Sequence, residues 1–99
     1  MAEQTNSTVK LVSADTFEVE LPEIPTSGYR WQLDEANQAA TIVDESFEDS
    51  ENKKMVGGIG KRKFKLRALQ PPPFTLRFIK KRAWETKFVE EHHVEVSGD

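Results

Sequence analysis

Apolar and polar residues alternate along most of this chain with a period of two. Phe17, Val19 and Leu21 are separated by Glu18 and Glu20, the pattern of a strand with one buried face. The same alternation returns at Phe64, Leu66 and Ala68 with Lys63, Lys65 and Arg67 pointing the other way. It returns again at Phe74, Leu76 and Phe78, and at Val94 and Val96 around Glu95. Residues 8–12, 29–33 and 40–43 carry weaker strand signals. About seven short strands in one domain predict a β-sandwich or barrel.

The punctuation agrees. Pro25, Thr26, Ser27 and Gly28 separate two of these strands, and Gly57, Gly58, Ile59 and Gly60 precede a third. Pro71, Pro72 and Pro73 force a stiff, extended connection before Phe74. Residues 44–54 are polar and are expected to form a solvated loop, and residues 1–7 are expected to be disordered. Trp84 and Phe88 sit four apart, which also suits a helical turn. A loop feeding the last strand is the preferred reading of residues 83–91.

The 99 residues are enough for one domain, read here as spanning 1–99, with a small core: 36% are hydrophobic and 31% charged. With no cysteine, a disulfide scaffold, a cysteine zinc site and a thiol nucleophile are excluded. No stretch approaches the ~20 apolar residues of a membrane span. The first ten residues hold no apolar signal-peptide core, so the expected location is cytoplasmic as the sequence stands, or periplasmic or secreted if a signal peptide was removed. The net charge of −3 hides an asymmetry. Residues 53–87 carry +11 and the remainder −14. If acidic strands neighbour basic ones, opposite charges meet across the ladder. If they lie apart, one face is basic and open to a polyanion.

No constellation for bond-making chemistry is present. The glycine run ending at Lys61 is no phosphate loop, because Met55 stands where that loop needs glycine and Arg62 where it needs serine or threonine. His92 and His93 are neighbours on a strand, so they face opposite ways and cannot share a metal; one is expected in solvent and one at a sheet edge. The acidic run at 44–51 lacks the spacing of a calcium loop. Phe64, Phe74 and Phe78 alternate in phase with core positions, which leaves only Trp84 to stack on a nucleic-acid base. The chain therefore reads as a binder rather than an enzyme, with no cofactor and no metal.

Three loop tips carry recognition chemistry: residues 24–29 with a Pro turn, residues 56–60 with bare glycine backbone, and residues 81–84 with Arg82, Ala83 and Trp84. Tryptophan and arginine are the residue types most enriched at binding hot spots. In this order and spacing the three tips resemble the chagasin family, proteinaceous inhibitors of papain-type cysteine peptidases. That family carries an N-P-T-T-G-[YF]-x-W motif, a Gly-rich loop and an R-P-W motif. Here they read Ile24-Pro25-Thr26-Ser27-Gly28-Tyr29-Arg30-Trp31, Gly57-Gly58-Ile59-Gly60 and Arg82-Ala83-Trp84. The resemblance covers roughly residues 8–97. It departs at Ile24, Ser27, Ile59 and Ala83, where the family has asparagine, threonine, commonly glycine, and proline.

The resemblance implies an immunoglobulin-like, antiparallel β-sandwich of about seven or eight strands, with the three loops at one end as a wedge. It implies a reversible, competitive inhibitor that occludes the peptidase cleft and is a monomer when free. Thr26 would lie nearest the catalytic thiolate, with Pro25, Ser27, Gly28 and Tyr29 around it. Gly57, Gly58, Ile59 and Gly60 would run beside the substrate groove, and Arg82, Ala83 and Trp84 would pack across the cleft. Two alternatives stay open at this point. One is an immunoglobulin-like protein-binding module without peptidase inhibition; the other is a nucleic-acid binder through residues 53–87.

Overall fold

The computed structural model describes residues 3–11, 15–24, 27–34, 36–48 and 60–98. Seven strands form two sheets: β1 (Glu3–Lys10), β2 (Thr16–Glu23), β3 (Tyr29–Leu33), β4 (Ala40–Glu48), β5 (Gly60–Ala68), β6 (Phe74–Arg82) and β7 (Glu90–Ser97). One sheet has the order β1-β7-β6-β3, the other β2-β5-β4. The pairings β2–β5, β4–β5, β3–β6 and β6–β7 are antiparallel. The exception to the antiparallel expectation is β1, which lies parallel to β7. The first and last strands share no hairpin, so nothing requires them to run opposite ways.

The alternating positions become the core. Phe17, Val19 and Leu21 of β2, Phe64 and Leu66 of β5, Leu76 and Phe78 of β6, and Val94 and Val96 of β7 are all buried. Phe64 and Phe78 meet across the two sheets with ring centroids 4.9 Å apart, a tilted contact that aromatic quadrupoles favour.

Three expectations are corrected. Residues 1–7 are not all outside the fold: β1 begins at Glu3. Its polar character hid it, because the hydroxyls of Thr5 and Ser7 bind a buried imidazole instead of filling an apolar face. The region 44–54 is not wholly a loop either. Strand β4 runs to Glu48, and its polar residues pair in register with the basic strand β5. Residues 49–54 lie outside the described residues. The structure also removes His92 from the edge: it is 8% exposed, between Thr5 and Ser7, with Trp31 edge-on at 6.3 Å. His93 faces the other way, 2.9 Å from Glu91. Residues 83–89 form the expected loop rather than a helix.

The charge asymmetry is internal. Basic β5 is the middle strand of its sheet, between the glutamates of β2 and the acids of β4. Lys63 reaches Glu20 at 3.6 Å and Glu48 at 2.7 Å, while Lys65 is in register with both Glu18 and Asp44. In the other sheet Arg77 binds Asp34 and Glu91, lies over the Phe88 ring at 4.6 Å, and Lys80 binds Glu90. The Lys63 ammonium hydrogen-bonds Glu48 and holds its carboxyl below the usual range. Hence most of the cations of the +11 segment that lie among the described residues are answered by acids on neighbouring strands.

Candidate functional site

Strand register brings the described strand ends that flank the candidate tips to one end of the sandwich. Glu23, at the end of β2, pairs with Gly60, at the start of β5. Tyr29, at the start of β3, pairs with Arg82, at the end of β6. β2 therefore ends beside Gly60, and β3 starts beside the end of β6, where the turn carrying Trp84 begins.

The first tip is held by Ser27. Its hydroxyl donates to the Ile24 carbonyl at 2.7 Å and accepts the Tyr29 backbone N–H at 3.1 Å, while its own N–H reaches the same Ile24 carbonyl. This backbone acceptor does not depend on the Ile24 side chain, so the turn closes with isoleucine there. Gly28 follows at φ +82°, a left-handed conformation that glycine adopts without steric penalty. Pro25 and Thr26 lie outside the described residues.

The second contact is between loops. A side chain on Gly28 would stand 3.9 Å from the Trp84 ring and 4.0 Å from Arg82 Nε. Arg82 lies over the Tyr29 ring at 4.4 Å and the Trp84 ring at 5.9 Å, and it pairs with Glu85 at 3.3 Å. Cation–π contacts of this kind contribute about 0.5–1 kcal/mol at exposed sites. The Glu85 N–H closes a turn onto the Arg82 carbonyl at 3.1 Å, and Lys81 Nζ donates to the Glu85 carbonyl at 2.9 Å. Ala83 and Trp84 are the two central residues of that turn. These bonds fix the turn at a position where proline would otherwise preset it. Trp84 itself is 74% exposed.

Gly60 has a different part. It is buried, and a Cβ there would meet the Phe47 ring and stand 2.7 Å from the Glu48 carbonyl. It allows β4 and β5 to close beneath the tip and is not itself part of an exposed surface. Gly57, Gly58 and Ile59 lie outside the described residues.

Beneath the tips the core turns polar. Glu23 is 2% exposed. Its Oε1 accepts the Trp31 backbone N–H at 3.0 Å, and its Oε2 accepts Arg62 Nε at 3.0 Å and Nη2 at 2.7 Å. Trp31 is buried and donates its indole N–H to the Pro22 carbonyl at 2.8 Å, with Lys80 over its ring. Sequence reasoning missed Glu23 and Arg62. Parity was the available signal: continuing Phe17, Val19, Leu21 by two reaches Glu23, and stepping back two from Phe64 reaches Arg62. Every buried side-chain polar atom among the described residues has a partner. Among them no group of three or more histidine, aspartate or glutamate residues is placed to hold a metal.

Comparison with known proteins gives concordant results. The family model described as Chagasin family peptidase inhibitor I42 matches residues 10–97. A search of curated proteins finds no significant match. Among solved structures, the chain resembles the cysteine protease inhibitor EhICP2 from Entamoeba histolytica with a TM-score of 0.73 at 17% identity, over 99% of this chain and 96% of that one. It resembles the solution structure of Amebosin with a TM-score of 0.66 at 16% identity, over the whole of both chains. It also resembles PbICP-C, solved in complex with falcipain-2, with a TM-score of 0.64 at 12% identity, over 99% of this chain and 91% of that one.

Proposed function

This chain belongs to the chagasin family of peptidase inhibitors, and from that premise we propose that it blocks papain-type cysteine peptidases reversibly and competitively. The carrying observation is the convergence of the Ser27-pinned turn and the exposed Trp84 at one pole of a rigid sandwich. One of the similar structures is a cysteine protease inhibitor by name, and another was solved in complex with falcipain-2. The chain is not an enzyme: it presents a surface, and occupancy of the cleft excludes substrate.

In this reading Thr26, with Pro25 and Gly28, sits over the catalytic thiolate, and Gly57, Gly58 and Ile59 flank the substrate groove. Trp84 packs on the opposite wall, with Arg82 and Tyr29 bracing it from behind. Rigidity is what the geometry supplies. Loops already held by hydrogen bonds and stacked rings lose little entropy on docking, and such preorganisation raises affinity more than added area does. An interface of standard size buries about 800 Å² on each partner. Titration of papain and of a cathepsin-L-like enzyme tests the proposal. Competitive loss of activity is expected, and full activity at ~10 μM inhibitor would overturn it.

A further inference from the structure

Arg30 of β3 and Lys81 of β6 are direct cross-strand partners. They share a face of the four-stranded sheet, the one opposite the core, since Leu33 and Phe78 pair inward three positions along. Two cations directly opposite one another repel, and such a pair destabilises a ladder. Elsewhere this molecule places acids beside its strand cations: Lys63 between Glu20 and Glu48, Arg77 between Asp34 and Glu91, Lys80 against Glu90. Among the described residues, no carboxylate is paired with Arg30 or Lys81. Glu85 gives its carboxylate to Arg82 and only its backbone carbonyl to Lys81, and Glu91 is engaged by Arg77 and His93. The uncompensated pair opens into a groove of about 520 Å³ that Gly28, Gln32 and Trp84 also line.

We infer that this groove is a subsite for an acidic side chain of the peptidase, seated between the Arg30 guanidinium and the Lys81 ammonium and walled by Trp84. The inference rests on the reading of this pole as the peptidase-facing one. A carboxylate supplies what the ladder lacks. It accepts two parallel N–H bonds from Arg30, takes donors that Lys81 has left over from Glu85, and cancels a repulsion present in the free protein. The Trp84 wall keeps water from one side and so strengthens the pairing. The subsite makes the inhibitor discriminate among papain-type peptidases by the charge on the cleft rim where Trp84 docks.

The test pairs two inhibitors with two enzymes. The inhibitors are the wild type and Arg30→Gln, a change that keeps the Lys81–Glu85 bond and with it the Trp84 turn. The enzymes are a cathepsin-L-like peptidase with a glutamate or aspartate on the rim beside its catalytic histidine, and the same enzyme with that acid changed to its amide. The variant is expected to unfold at the same temperature or higher, because a repulsion is gone. It is expected to inhibit the acidic enzyme about tenfold more weakly, with a flatter dependence on salt, and to match the wild type against the neutralised enzyme. Equal inhibition of the acidic enzyme by both inhibitors would overturn the subsite. So would an equal loss against both enzymes, which would place the effect outside the charge pair. Wild-type protein that inhibits neither enzyme would instead overturn the proposed function, and the subsite with it.

Discussion

The Glu23 carboxylate accepts the backbone N–H of Trp31 at 3.0 Å and so ties the outgoing end of the first tip to its return strand. Its other oxygen binds Arg62, the second residue past Gly60. One buried carboxylate thereby joins β2, β3 and β5 at the end of the sandwich where Gly28 approaches Trp84. A charge in this place is expensive to bury and is kept neutralised by a guanidinium whose side chain is itself only 15% exposed.

Glu23→Ala leaves Arg62 without its main partner and the Trp31 N–H without an acceptor. Loss of one partner of a buried pair costs about 3–5 kcal/mol, so urea unfolding is expected to shift by that order. Glu23→Gln keeps an acceptor for Trp31 and is expected to lose less. Equal stability of the alanine variant and the wild type would remove the clamp from the account.

Trp84→Ala separates binding from folding. The ring is largely in solvent, so the unfolding midpoint is expected to stay unchanged. Inhibition of a papain-type peptidase is expected to weaken by about 2 kcal/mol or more, the loss typical of an aromatic anchor. An unaltered inhibition constant would show that Trp84 is not the anchor.

Gly60→Ala tests the close approach of β4 and β5. The added methyl has no room between the Phe47 ring and the Glu48 carbonyl, and overpacking of this kind costs about 1–3 kcal/mol. Phe47→Ala in the same chain opens space on one side only, so partial recovery of the thermal midpoint is expected. A Gly60→Ala protein as stable as the wild type would show that the ribbon yields freely.

Stability is expected to fall between neutral and mildly acidic pH because of His92. Burial, with the neighbouring His93 charge, holds its pKa below the ordinary value, and Glu90 opposes this only in part. The unfolded chain therefore takes up a proton near pH ~6.5 while the folded chain does not. The contribution is complete above that pH and is lost as pH falls from there through the folded value. Asp34, bonded to the Ala36 backbone N–H and to Arg77, and Glu91, bonded to Arg77 and His93, are lowered carboxylates whose contribution disappears only at more acidic pH. Urea midpoints at several pH values for wild type and His92→Gln check this. The variant is expected to lose the slope around pH ~6, and identical slopes would assign the effect to another group.

The alternation of Phe17, Val19 and Leu21, of Phe64 and Leu66, and of Leu76 and Phe78 sufficed to predict an all-β sandwich or barrel and most of its core, because a period of two has one geometric meaning in a half-buried strand. The order of the three tips likewise pointed to the family. Strands β1 and β4 were legible only in part, as the weaker signals over 8–12 and 40–43, for the opposite reason. The rest of their side chains are satisfied by partners far along the chain, Thr5 and Ser7 by His92, and Asp44 and Glu48 by β5, so no local apolar pattern marks those parts. Pairing decided the rest. Only register could set Glu23 beside Arg62 and Trp31, pair most of the described basic strand residues with acidic neighbours, and leave Arg30 facing Lys81 with no carboxylate paired to either among the described residues. Charge and burial depend on what lies across a ladder, and a linear pattern records only what lies beside.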